Sequence, residues 1–168
     1  MKQSIIVLLL ILLFTSAFSS ESNYSAKNIE NKFRQLLPKE IVYTEVPRGL
    51  IISVEENILF EDCQTEIKPS SLVMLNNIAK VLKELPNYCV IENHIEQTCG
   101  NELENWELSM IRSANIVDYL IKNNKLPHEQ LFDVGYGEYM PFDEYINTDK
   151  KGFNNRVDFV IINYEAKR

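Results

Sequence analysis

Apolar and polar positions change period several times along the chain. From Ala26 to Pro38, Ile29, Phe33 and Leu36 recur at helical spacing, and Pro38 ends the run. The next stretch alternates instead: Ile41, Tyr43 and Glu45 set against polar neighbours, then Leu50, Ile52 and Val54, with Pro47-Arg48-Gly49 between. That pattern predicts a hairpin or a bent strand pair running on towards Phe60. From Lys68 to Asn87 the helical period returns. Pro69 suits a first turn, Leu72, Leu75, Ala79 and Leu82 form one apolar stripe, and Pro86-Asn87 stops it. "YCVIENHIE" then reads as a strand and "NWELSMIRSANIVDYLIKNN" as a second helix. "EQLFDVGYGEYMPF" reads as a short strand into a glycine turn, and "RVDFVIINYE" as a closing strand apolar on both faces, hence central in its sheet. The order is β-(β)-α-β-α-β-β. Right-handed crossovers put both helices on one face, so the expected fold is an α/β two-layer sandwich, βαβαββ with an additional N-terminal strand or hairpin.

Residues before this domain carry a different signal. Lys2 precedes an apolar run of about ten residues, Ile5 to Phe14, followed by small residues. This is the layout of a secretory signal peptide, shorter than the ~20 residues of a spanning helix. The expected division is residues 1–20 as signal peptide, with an uncleaved anchor as the alternative, 21–46 as a lead, and 47–168 as the folded domain. Membrane contact is expected only if the segment stays uncleaved.

Composition narrows the partners. The chain is 168 residues, 45% apolar and 24% charged, with a formal net charge of −7. An acidic chain with scattered lysines has no electrostatic footprint for nucleic acid. His94 and His128 are the only histidines, and neither belongs to a metal-ligand pattern. Cys89 and His94 lie five apart on a strand and so point to opposite faces. No enzyme activity, metal or cofactor is expected.

On a wheel of about 100° per residue, Trp106, Met110, Ala114, Val117, Leu120 and Ile121 cluster on one side of the second helix, expected to pack on the sheet. Glu107, Asn115, Asp118 and Lys122 lie opposite. Asn105, Ser109 and Arg112 form a polar flank beside the apolar stripe. In a βαβ unit the end of the preceding strand and the start of this helix share a rim, where ligands of open α/β sheets bind. His94 and Glu96 then fall near Asn105 and Arg112. A guanidinium and a carboxylate a few ångströms apart fit a zwitterion, the arginine taking a carboxylate in a bidentate grip. The alternatives are a surface arginine snorkelling over the core edge and a solvated loop carboxylate.

Four motifs in order resemble the OmpA-like (OmpA/MotB C-terminal) peptidoglycan-binding domain family, over about Pro47 to Tyr164. They are "ILFEDCQTEIKPSSLVMLNNIAKVL", "NWELSMIRSANIVDYL" through Asn105, Leu108, Ser109, Arg112, Val117 and Leu120, "VGYGEYMP" and "NNRVDFVI". The resemblance implies a cell-envelope, periplasmic protein whose partner is peptidoglycan. It implies that Arg112 and an acidic residue at the end of the middle strand, here Glu96, hold the diamino acid of the stem peptide. "NHIE" stands where the family has G-H-T-D, so only His94 is retained, and Asn155 replaces the first of two usual arginines. These departures fit another diamine-bearing stem, such as one with ornithine or lysine. They fit equally a module that kept the fold, lost the wall ligand and binds an envelope protein; a membrane-anchored MotB-like stator component is a further alternative. Asn154 and Arg156 are expected to support the rim and Phe60 to rest against the stem peptide. Cys63 and Cys99, both in loops between strand and helix, are a candidate disulfide.

Overall fold

The structure is a computed structural model that describes residues 25–96, 100, 102–140 and 154–165. The expected signal peptide lies outside these residues, as does Cys99. Among the described residues no helix is long and apolar enough to cross a membrane.

Helix α1 (Ala26–Arg34) opens where the Ser25 Oγ accepts from the Asn28 N–H. It buries Ile29 and Phe33. It ends a turn earlier than the spacing predicts, so Leu36 is exposed and Leu37 takes the buried place. Strands β1 (Val42–Val46) and β2 (Gly49–Glu55) form the expected hairpin, with Val46 opposite Gly49. The strand does not run on to Phe60. A four-residue helix, α2 (Glu56–Leu59), intervenes, and the Phe60 N–H closes it on the Glu56 carbonyl. The run Glu55-Glu56-Asn57 breaks the alternation at that point.

A 3-10 turn with Pro69 in its first position leads into α3 (Leu72–Glu84). Leu75, Ala79 and Leu82 are buried as expected, joined by Ile78 and Val81. The Gln130 side-chain amide donates to the carbonyls of Leu82, Leu85 and Asn87 at 2.8–3.1 Å, which ties the end of α3 to the residues that follow it. Strand β3 (Asn87–His94), helix α4 (Glu102–Lys122), β4 (Leu131–Gly137) and β5 (Arg156–Glu165) complete the fold.

The sheet order is β1-β2-β5-β3-β4. Only β3 and β4 pair in parallel, and β5 is central and antiparallel to both neighbours. Leu50, Ile52 and Val54 of β2, Cys89 and Ile91 of β3, and Val157, Phe159 and Ile161 of β5 join α1, α3 and α4 in one core. This is the expected α/β sandwich.

Helix α4 sits differently from the wheel. Its buried residues are Asn105, Leu108, Ser109, Arg112, Ser113, Ile116 and Leu120, while Trp106, Met110 and Ala114 are exposed. Glycines in β4 explain the rotation. A Cβ on Gly135 would lie 2.4 Å from the Met110 backbone nitrogen, and one on Gly137, at φ +55°, would lie 3.0 Å from the Trp106 Cα. The helix backbone rests directly on the strand there, with Trp106 and Met110 at the contact and partly open to solvent. The flank read as a polar edge is turned inward.

Candidate functional site

Arg112 is 1% exposed, the largest fully buried side chain among the described residues. Burial of a guanidinium requires acceptors for its N–H groups. The loop after α2 supplies two: Nε donates to the Gln64 carbonyl at 2.6 Å and Nη2 to the Glu61 carbonyl at 2.8 Å. The guanidinium carbon lies 4.9 Å from the centre of the Phe60 ring. One turn along α4, Asn115 donates to the Thr65 carbonyl, so one helix face organises the whole loop. The remaining edge, Nη1, meets Glu56 Oε1 at 2.5 Å. That contact is ionic, since neither atom has a partner in hydrogen-bond geometry. Burial pushes the Glu56 carboxyl above its usual range. The charge of Arg112, with the close approach of Arg112 and Asn93 adding to it, pulls it down without offsetting burial.

This pair floors a cavity of about 270 Å³ at the rim, lined also by Glu55, Asn57, Phe60, Glu61, Asp62, Cys63 and Asn155. Its ionisable walls hold four acids and one arginine, with Lys68 reaching Glu61 at 3.1 Å.

Phe60 lies against Arg112, and the carboxylate that pairs with Arg112 is Glu56, while Glu96 stands apart. Glu96 is exposed. Its backbone N–H donates to Asn155 Oδ1 at 2.5 Å and its carboxylate accepts from Asn154 Nδ2 at 2.8 Å. Asn155, which lines the Arg112 cavity and whose carbonyl accepts from the Glu56 N–H, therefore stands between Glu96 and the cavity. Within the chain two edges of the Arg112 fork are taken by backbone carbonyls.

Asn105 and Ser109 lock α4 to the end of β4. Asn105 Nδ2 donates to Glu138 Oε1 and the Gly137 N–H donates to Ser109 Oγ, both at 2.9 Å. His94 and Arg156 lie on the sheet face away from the core, alternating with Asn93 and Val157. His94 stacks on Tyr136 with ring centres 4.9 Å apart and stands 3.4 Å from Asp158, which accepts from Arg156 Nε at 2.9 Å. Glu92 lies directly opposite Asp158 across the strands and takes both arms of Arg48 at 2.7 and 2.8 Å. Ligand atoms of Glu92, His94 and Asp158 lie within 4.8 Å of one another. Each carboxylate already holds a guanidinium, so a divalent cation there would have to displace Arg48 or Arg156.

Cys63 is disulfide-bonded and Cys89 is free and buried. Sequence reasoning missed Glu56 and Asn155. Their only signals were the break in alternation at Glu55-Glu56-Asn57 and the position of Asn155 beside the last strand.

The profile of the OmpA family matches residues 59–156, more than half of the chain. Motility protein B of Bacillus subtilis is 28% identical over 118 residues, 68% of this chain and 45% of that protein, so the chain spans less than half of its length. An outer membrane protein of Borrelia burgdorferi, known by its structure, is 31% identical with a TM-score of 0.57, over 73% of this chain and 97% of that one. A putative MotB-like protein of Desulfovibrio vulgaris shares the fold, with a TM-score of 0.68 at 21% identity over 82% and 93% of the two chains.

Proposed function

The chain belongs to the OmpA family, and from that premise we propose that it tethers a component of the cell envelope to peptidoglycan by binding the stem peptide non-covalently in the Arg112 cavity. The observation that carries this reading is Arg112 itself: a cation withdrawn from solvent at the floor of a rim cavity, with Nη1 directed at Glu56 without hydrogen-bond alignment. Burying a charge costs several kcal/mol, and a fold that needed only packing at this point of α4 would place an apolar side chain there. Phe60 forms an apolar wall beside it. Nothing in this role requires bond making or a cofactor. Asn105 and Ser109 serve it by fixing the helix, and Asn155, with Asn154 behind it, by fixing the opposite wall. The names of the relatives, a motility protein and an outer membrane protein, fit a protein of the envelope.

One observation favours a second reading. All three edges of Arg112 already face acceptors of the chain, as in a module that retains the fold for binding an envelope protein without the wall. Co-sedimentation with purified sacculi separates the two. Under the wall reading the wild-type protein pellets with sacculi, and Arg112→Lys, which keeps the charge and loses the planar fork, pellets at least tenfold less while its circular dichroism is unchanged. Absence of wild-type binding supports the module. Whether the tether begins at a cleaved end or at an anchor formed by the apolar run is read from the N-terminus of the native protein.

A further inference from the structure

We infer, resting on the stem-peptide reading, that the cavity takes the side-chain ammonium of a diamino acid with no carboxylate beside that ammonium, the lysine or ornithine class, and that Glu56 receives it. Three observations lead there. The first is the saturation of Arg112. A carboxylate seeking its fork would have to expel the Gln64 and Glu61 carbonyls from Nε and Nη2, leaving both without these donors. The single edge left, Nη1, already faces a carboxylate.

The second is the charge of the walls. Glu55, Glu56, Glu61 and Asp62 surround one arginine. A ligand bearing an ammonium and a carboxylate together would bring its negative end into this acidic enclosure with no free donor fork to meet it. A lone ammonium meets four carboxylates against the one guanidinium of Arg112, with Lys68 at the outer Glu61, so the balance of charge favours it.

The third is Glu56. Its side chain is 9% exposed, and its Oε1 has no hydrogen-bond partner although it lines the cavity. An ammonium has three donors and no acceptor, so it supplies this carboxylate with aligned donors, while Arg112 keeps its backbone bonds and its ionic contact with Glu56. The volume of about 270 Å³ falls just below the range of roughly 300–1,000 Å³ for whole small ligands, and suits the end of one side chain.

The test uses the mature chain and four soluble stem tetrapeptides that differ only in the third residue: lysine, ornithine, diaminopimelate or Nε-acetyl-lysine. Affinities are measured by calorimetry. The lysine or ornithine peptide is expected to bind at least tenfold more tightly than the diaminopimelate peptide, and acetylation to abolish binding. Glu56→Gln is expected to lose at least tenfold for the preferred peptide. Should that variant fail to fold, the double variant Glu55→Gln with Asp62→Asn, both exposed, carries the test. It is expected to weaken the preferred peptide several-fold and to flatten its salt dependence, and unchanged binding would count against the inference. Equal or tighter binding of diaminopimelate overturns this inference and leaves the wall-binding reading standing. A folded protein that binds none of the four overturns both.

Discussion

Glu56 and Arg112 meet at 2.5 Å with both side chains withdrawn from solvent, so a four-residue helix and a long one are joined by a buried charge pair at the rim of the sheet. The pair is the structural centre of the cavity, and its removal is expected to be felt in stability before function. Removing one partner of such a pair leaves the other buried and uncompensated, at a cost of about 3–5 kcal/mol. Arg112→Ala is expected to lower the urea midpoint accordingly. Adding Glu56→Gln should restore part of the loss, because no unpaired charge remains. A double variant as unstable as the sum of the two singles would contradict the coupling.

Gly135→Ala is expected to destabilise by about 1–3 kcal/mol, the usual cost of overpacking. The methyl would fall 2.4 Å from the Met110 backbone, and backbone yields less than a side chain. Thermal unfolding checks the size. A variant equal to wild type would mean that α4 does not rest on β4 as described.

Two carboxylates set opposite pH dependences. Burial pushes Asp158 upward, but His94, Arg156 and Ser53 together outweigh it and hold it below its ordinary 3.8. A depressed native value adds stability that is present above pH 3.8 and lost as pH falls towards that value. Glu56, raised above its ordinary 4.5, acts in the other direction: its contribution is full below 4.5 and lost as pH rises through the raised value. Asp158→Asn is expected to flatten the acid limb of the stability curve, and Glu56→Gln the limb above pH 4.5. Stability measured by urea unfolding at a series of pH values reads both. An unchanged acid limb in Asp158→Asn would contradict the first assignment.

Cys89 is fully buried, and burial, with Glu92 adding to it, pushes its thiol far above the usual range. It is expected to resist thiol reagents in the folded protein. With Cys63 in a disulfide and its pairing with Cys99 as proposed from the sequence, unfolding without reductant should release one reactive thiol. Three would contradict that pairing.

The periodicities located every strand and both long helices because each of those segments has one buried face. Leu50, Ile52 and Val54, or Leu75, Ala79 and Leu82, repeat at the period of their element, and burial follows. The orientation of α4 was not legible, because a helical wheel assigns polar residues to solvent. Here the loop carbonyls of Glu61, Gln64 and Thr65 and the glycines of β4 draw the polar flank inward. Arg112 was found by its residue type and by the family motif. Its counter-ion was not, since α2 is too short to leave a period and Glu56 lies 56 positions earlier in the chain. Glu96 was placed on the correct rim, one residue's width from the cavity, because a strand end fixes a rim but not the direction of a side chain.

Nuclear magnetic resonance of the labelled protein, titrated with a soluble stem tetrapeptide, tests the central claim most directly. Binding at the Arg112 cavity predicts saturable shifts at Glu56, Phe60, the Arg112 Nε–H and Asn155, with the outer-face group of Glu92, His94 and Asp158 unmoved. Shifts confined to that outer face, or none at millimolar peptide, would contradict it.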